Sequence, residues 1–210
     1  MSTAQDLLIV ALEIPSTHPV QQGDLSLALA GAELIDLLEA RTLTLDAELI
    51  VPAPLRPSTG DELLDKAAAE LRTEPPYENV EEWLWRRGSG LAAVYAGALA
   101  AQEDRPAPLS FRRLFHRGDP DARPETPRTP ARLHATERWN AHDPVLVALA
   151  GALGIEDAPP SERTDPPAGE DTDAVETVLA SVGDALTELE AVRQRRQIEQ
   201  DAYDNVWRAP

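Results

Sequence analysis

The stretch from Ser58 to Leu84, STGDELLDKAAAELRTEPPYENVEEWL, constrains the fold more than any other part of the chain. Thr59 and Glu62 have the spacing of a capping box, in which each side chain accepts a hydrogen bond from the backbone amide of the other residue. We therefore expect a helix that starts near Gly60. Its apolar residues recur at the spacing of one helix face: Leu63, Leu64, Ala67, Ala68 and Leu71.

A double proline separates this helix from a second one. Pro75 and Pro76 lack amide donors and disfavour helical geometry in the residue before them, which places the end of the first helix at about Thr73. Asn79 then has the position and the side chain of an N-cap for the next helix. The residues of this second helix that we expect to be buried are Val80, Trp83 and Leu84.

The remaining patterns predict a mainly α fold, a single helical domain with a small winged-helix-like β-hairpin in its N-terminal half. Residues 42–46 and 48–52 alternate in polarity, which favours a hairpin that turns at about Asp46 and Ala47. Apolar periodicity predicts further helices. These helices are expected over residues 5–12, over 25–38 after Asp24 as the cap, over 91–102 and over 144–153.

Two of these helices carry specific burial predictions. The helix that begins at Leu91 is expected to bury Val94. The run at 144–153, PVLVALAGAL, is almost wholly apolar and opens with Pro144 after Asp143, a good first helical residue after a good cap. We therefore expect the whole run to be buried.

A long C-terminal helix is expected over about residues 172–203. Its apolar residues alternate at spacings of three and four, the pattern of a heptad seam. Leu179 and Leu186 widen the seam, which favours packing on the domain over a dimeric coiled coil and leaves both open. These patterns divide the chain into three segments: a helical domain at 1–154, an acidic Pro-rich linker at 155–171 and a C-terminal helix region at 172–210.

Several motifs in order resemble one protein family. TGDELLD, the helical residues after it, the double proline and VEEWL resemble the signature of the Golgi phosphoprotein (GPP34) family. The residues from Leu29 to Leu37 resemble the second helix of that family, and those from Arg41 to Leu45 resemble the strand after it. Residues 6–12 resemble its opening helix. The resemblance covers residues 5–100 and fades beyond them.

The resemblance implies a mostly helical protein that is not an enzyme. Eukaryotic members of the family are peripheral Golgi proteins that bind phosphatidylinositol 4-phosphate and hold glycosyltransferases by their cytoplasmic tails. They bind the phosphate with a Trp, an Arg and an Arg pair. The aligned positions here are Gln21, Ala30, Ala92 and Tyr95, and none keeps the family's Trp or Arg. Because a phosphomonoester is best bound by arginine, the lipid site is expected to be degenerate.

Charge and composition limit the partners. The 210 residues include 19 basic and 37 acidic ones, and the net charge of -18 repels nucleic acids and anionic bilayers at long range. Cysteine is absent, which excludes disulfides and thiol chemistry. No apolar run is long enough for a transmembrane helix, so we expect a cytoplasmic protein, with peripheral membrane attachment left open. Richness in Ala, Pro and Arg suggests a bacterial host.

Two groups of arginines are candidates for contact with an anionic phospholipid head group or an acidic protein partner. Arg86 and Arg87 follow an expected exposed Trp85, and Arg112 and Arg113 lie in a Pro- and Arg-rich segment. The alternative is that these arginines pair with the carboxylates of the domain itself or stack on a Trp, since surface ion pairs are common and contribute little.

Catalytic and metal-binding patterns are weak. His134 and His142 are eight residues apart, whereas helical metal ligands are usually three or four apart. The chain has neither a phosphate-binding loop nor a nucleophile elbow. We therefore expect no catalytic residue, no metal and no cofactor. Two functions stay open, a phosphoinositide-dependent adaptor with an altered lipid site and a soluble protein-interaction module, and a hydrolase ranks below both.

Overall fold

The computed structural model describes residues 1–16, 18–55, 57–103, 129–155 and 170–208. Within these ranges the protein is mainly helical, with one β-hairpin in the N-terminal half and a long C-terminal helix, which confirms the predicted fold class. The elements are α1 (Thr3–Glu13), α2 (Gln22–Glu39), β1 (Leu43–Asp46), β2 (Leu49–Pro52), α3 (Glu62–Ala69), α4 (Val80–Arg87), α5 (Leu91–Gln102), α6 (Pro130–Asn140), α7 (Pro144–Ala152) and α8 (Glu170–Arg208).

Helix α2 forms the centre of the core. Every side chain from Leu25 to Leu37 is buried, because α1, α4, α5 and α8 pack around this helix. A helix that is apolar on most sides is stable only when it is surrounded in this way. Gly31 allows the closest approach, since a Cβ atom there would lie 2.4 Å from Cγ2 of Val182 on α8. The position of α8 on the domain thus depends on this glycine.

The hairpin forms where the alternating pattern predicts it. Leu43 pairs with Pro52 and Asp46 pairs with Leu49, so the turn residues are 47 and 48, one position later than expected. Ala47 has a φ of 53°, as the tight turn requires. Two backbone hydrogen bonds, from Ile50 N to Glu78 O at 2.9 Å and from Val80 N to Glu48 O at 3.0 Å, join the hairpin to the start of α4.

The predicted capping box at the start of α3 is wrong. Asp61 is the N-cap, and its carboxylate accepts hydrogen bonds from the amides of Leu63 and Leu64 at 2.9 and 3.2 Å. Thr59 instead donates its hydroxyl to Asp65 at 2.7 Å. A carboxylate two residues closer to the helix satisfies the free amides and also interacts favourably with the helix dipole.

Helix α3 also ends earlier than predicted, at Ala69 rather than Thr73. The backbone carbonyl of Glu70 accepts a bond from Arg86 Nη2 at 3.4 Å instead of from a helical amide. The prolines therefore lie beyond the end of the helix and do not determine it. The second helix of the block, α4, is as predicted: Glu82 N donates to Asn79 Oδ1 at 2.7 Å, in a full capping box.

Three expectations for the other helices need correction. Helix α2 starts at Gln22 with Gln21 as its N-cap, so Asp24 lies in the first turn and is not the cap. Val94 is 50% exposed, because α5 turns Ala92 towards the core and the smaller side chain permits closer packing. The run at 144–153 is buried on one face only, through Leu146, Leu149, Ala150 and Leu153.

Helix α8 uses its heptad seam to pack on the domain. Val178, Val182 and Ala185 are buried against an interface with α2, α4 and α7, and Val175 and Leu189 are partly buried there. The predicted linker lies almost entirely outside the described residues, so the domain boundaries remain a prediction. The side chains at 194–201 are exposed, which means that the helix extends past the surface that holds it.

Candidate functional site

A cleft lies where the start of α2, the turn between α4 and α5, and α8 meet. Its volume is about 350 Å³. Among the described residues that line it, none carries a charge. The side chains that define its floor and walls are Gln22, Leu27, Trp85, Ser89 and Leu189.

Glycines bring the three elements close together. A Cβ atom at Gly88 would lie 3.2 Å from the carbonyl oxygen of Ser26 on α2, and one at Gly23 would lie 3.1 Å from Cδ2 of Leu189 on α8. The side chain of Ser26 on α2 holds the start of α5, because its Oγ accepts a hydrogen bond from Ala92 N at 3.1 Å. The cleft walls are thus held by backbone contacts that larger residues would prevent.

Trp85 gives the cleft its apolar character. Its side chain is 36% exposed, whereas Trp83 is fully buried and donates its indole N–H to the carbonyl oxygen of Ala30 at 3.2 Å. The expectation that one of these two Trp residues faces the core and the other is partly exposed is therefore confirmed. A partly exposed indole is a common contact for an apolar ligand group.

The positions aligned with the family's lipid-binding residues do not converge on a surface. Gln21 is exposed at the start of α2, next to the cleft. Ala30, Ala92 and Tyr95 are buried in the core. Three of the four positions therefore face protein, and only Gln21 is available to a ligand.

Tyr95 belongs to a buried polar network. Its hydroxyl donates to Glu33 Oε1 at 3.0 Å, and Arg87 donates to both carboxylate oxygens of Glu33 at 2.7 and 2.8 Å. Burial raises the pKa of Glu33, and hydrogen bonds from Arg87 and Tyr95 oppose the rise. Burial and the neighbouring Glu33 also raise the pKa of Tyr95. The network joins α2, α4 and α5 inside the domain.

The two arginines of α4 point to carboxylates of the same chain. Arg86 binds Glu78 through two bonds of 2.7 and 2.8 Å, and its guanidinium lies 5.1 Å from the centre of the Trp83 ring. Arg87 reaches Glu70 at 3.0 Å in addition to Glu33. Arg112 and Arg113 lie outside the described residues.

A second cleft is acidic. It has a volume of about 530 Å³ between the start of α1, the end of α2 and the start of α3, and it is lined by Asp36, Glu39, Asp61 and Glu62 among others. The Asp36 carboxylate accepts hydrogen bonds from the amides of Thr3 and Ala4 at 3.0 and 3.3 Å. Burial raises the pKa of Asp36 to about 6. This cleft does not suit an anionic head group.

The histidines do not form a metal site in the part of the chain that the structure describes. His134 lies 3.0 Å from Asp6, a buried carboxylate that also binds Arg138 at 2.8 Å. No group of three potential metal ligands occurs within the described ranges. None of the helices described there combines the length and the apolar content that crossing a membrane requires.

Sequence reasoning missed the contributions of Gly23 and Leu189 to the uncharged cleft. Leu189 belongs to the heptad seam, which indicates packing but not where along the domain each residue lies. Gly23 and the Gly88-Ser89-Gly90 turn were visible as glycine positions. Nothing in their spacing indicates that α8 crosses them.

The fold and the cleft define a mainly helical protein with one small hairpin and an uncharged surface cleft beside its central helix. A family model, Golgi phosphoprotein 3 (GPP34), matches residues 4–197, and the chain belongs to this family. The match extends well past residue 100, where the motif resemblance fades, and takes in α6, α7 and most of α8. GPP34 is not known as an enzyme family. No curated protein and no solved structure matched the chain.

Proposed function

We propose that this chain is a non-enzymatic adaptor of the GPP34 family in which phosphoinositide-dependent membrane attachment is lost. One observation carries the proposal. Of the four positions that align with the family's phosphate-binding residues, three are buried side chains without positive charge and the fourth is Gln21. A phosphomonoester carries close to two negative charges, so a site that binds it needs several strong hydrogen-bond donors.

The arginines near these positions support the same conclusion. Arg193 on α8 lies beside the cleft, since a Cβ atom at Gly23 would be 3.0 Å from its Nη2 atom, and it is paired with Asp24 at 2.7 Å. Arg86 and Arg87 are held by three carboxylates. Releasing any of these guanidiniums for a lipid phosphate would leave a carboxylate unpaired, which costs about 1–3 kcal/mol or more when that carboxylate is buried.

Titration with a soluble short-chain phosphatidylinositol 4-phosphate tests this proposal directly. Calorimetry at low salt, where charge attraction is strongest, is expected to show no saturable binding. The matched control is the same titration with short-chain phosphatidylinositol, which lacks the phosphate. Saturable heat that requires the 4-phosphate would contradict the proposal.

The uncharged cleft favours a second function, that of a protein-interaction module. Trp85 offers an exposed indole in a cleft without charged lining, and Glu81 and Glu82 lie one turn before it on the exposed side of α4. This combination suits a peptide segment that inserts an apolar side chain and carries a basic residue beside it. The net charge of -18 would attract such a segment.

A peptide-binding assay distinguishes this function from the first. Fluorescence anisotropy is measured with labelled peptides in which one apolar residue stands beside Arg, and with the same peptides carrying Glu instead. We expect Arg peptides to bind the wild type, and W85A to lose the binding. V94A removes an exposed apolar side chain on α5 and should have no effect. Equal binding of the Arg peptides by W85A and wild type would exclude the cleft as the peptide-binding site.

A further inference from the structure

The C-terminal part of α8 lies beyond the surface that holds the helix. The last side chain of α8 with a described salt bridge to the domain is Arg193, which binds Asp24. The side chains of residues 194–201 and of Tyr203 are exposed. Isolated helical segments of this length are only marginally stable in water, so a second surface that packs on this one would be stabilising.

The outward face of this segment has an exposed apolar residue, Ile198, between two charged ones. Ile198 is 69% exposed and lies on the side of α8 opposite the buried Val182 and Ala185, given 3.6 residues per turn. Arg195 precedes it by three residues and Asp201 follows it by three, so all three side chains share one face. Pairing through this face would leave the contact between α8 and the domain intact.

We propose that two copies of this chain associate through the outward face of α8, with the helices antiparallel about a two-fold axis at Ile198. Ile198 then contacts Ile198 of the second copy. Arg195 lies opposite Asp201 of the second copy, and Asp201 lies opposite its Arg195. A C2 interface of this kind is self-complementary because each contact occurs twice.

Charge selects both the occupant and its orientation. The chain as a whole carries -18, yet residues 193–203 contain three arginines and two carboxylates, so this segment is not repelled by its own copy as the rest of the surface is. In a parallel arrangement Arg195 would face Arg195 and Asp201 would face Asp201. Like charges in register disfavour that arrangement, whereas the antiparallel one pairs opposite charges.

The charged groups needed for this pairing are available. Within the described residues Arg195 and Arg196 form no salt bridge. Asp201 accepts one hydrogen bond, from Gln197 Nε2 at 2.9 Å, which holds the carboxylate on the helix surface and leaves its second oxygen for a guanidinium. Such pairs are sensitive to salt, so the association is expected to weaken as ionic strength rises.

Sedimentation equilibrium of the full chain over a range of concentrations tests the proposal. The wild type is expected to form a salt-sensitive dimer. I198D should weaken dimerisation by about tenfold or more, since it places two carboxylates at the axis. L133D alters a half-exposed leucine on α6 and is the matched control, with no expected change. A wild type that is monomeric at every concentration and low salt would overturn the proposal.

A charge exchange tests the antiparallel register. R195D and D201R each place like charges opposite one another and should lose the dimer. The double variant R195D/D201R reverses both members of the pair and should regain it. A dimer that is unaffected by the single variants, or a double variant that stays monomeric, contradicts the arrangement. Circular dichroism and thermal melting of every variant separate loss of pairing from loss of folding.

Discussion

Arg87 holds the buried carboxylate of Glu33 through two hydrogen bonds, from Nε at 2.7 Å and from Nη2 at 2.8 Å. This pair, with the Tyr95 hydroxyl, joins α2, α4 and α5 inside the domain. The charge of Arg87 is therefore used inside the protein.

The first prediction follows from that pair. R87A leaves Glu33 buried without its charge partner and is expected to lower the free energy of unfolding by about 3–5 kcal/mol, as is typical when one partner of a buried ion pair is removed. Urea denaturation measures the change. K66A breaks the exposed pair between Lys66 and Glu62 and should change the free energy of unfolding far less, because solvent screens this pair. A small decrease in the free energy of unfolding for R87A, similar to that for K66A, would contradict the prediction that the pair of Arg87 and Glu33 behaves as a buried ion pair.

The second prediction concerns pH and Asp36. Its pKa is raised by burial from 3.8 to about 6, so the folded protein binds more protons than the unfolded chain between these values, and this group lowers stability as pH rises through them. D36N removes the titration. Relative to wild type, D36N should gain up to about 3 kcal/mol between pH 4 and pH 7.5, since one pKa unit equals 1.36 kcal/mol.

Asp65 provides the control of opposite sign. Hydrogen bonds from Ser58 and Thr59 lower its pKa, so the stability it contributes is present above its unfolded pKa and is lost as pH falls through its folded pKa. D65N should therefore lose stability relative to wild type as pH rises. Urea denaturation at several pH values measures both variants, and slopes of the same sign for D36N and D65N would contradict the assignment.

The third prediction concerns the close packing of α8 on α2. G31A places a methyl group 2.4 Å from Val182 Cγ2 and is expected to destabilise the protein by about 1–3 kcal/mol through overpacking. G183A changes a glycine of α8 itself, with no atom within 4 Å of the added Cβ, and should stabilise by about 0.5–1 kcal/mol. Thermal melting of both variants provides the comparison. A neutral G31A would mean that α8 does not pack closely on α2.

Local signals in the sequence predict part of this fold well. Asn79 followed by Glu82 forms a full capping box, because both partners lie three residues apart and nothing else competes for them. Thr59 and Glu62 have the same spacing and do not form one, because Asp61 and Asp65 take the available donors. The spacing alone could not rank these competing carboxylates.

The site was harder to predict because it depends on contacts between distant segments. The motif resemblance to the family predicts that the residues at positions 30, 92 and 95 have changed, but it does not show that Ala30, Ala92 and Tyr95 are buried. The cleft at Trp85 needs α8 to cross the start of α2, and this crossing depends on close contacts of Gly23 with Leu189 and of Gly31 with Val182, which lie far apart in the sequence. Such long-range packing is not encoded in any local pattern.

Vesicle flotation measures whether the chain attaches to a membrane through the 4-phosphate. The full chain is mixed at low salt with neutral phosphatidylcholine vesicles that contain either phosphatidylinositol 4-phosphate or phosphatidylinositol, and the protein that rises with the vesicles is measured. We predict the same small fraction in both cases, because the three buried positions carry no guanidinium and, in the described part of the chain, Arg87 and Arg193 are paired with carboxylates. Flotation that depends on the 4-phosphate would contradict the account.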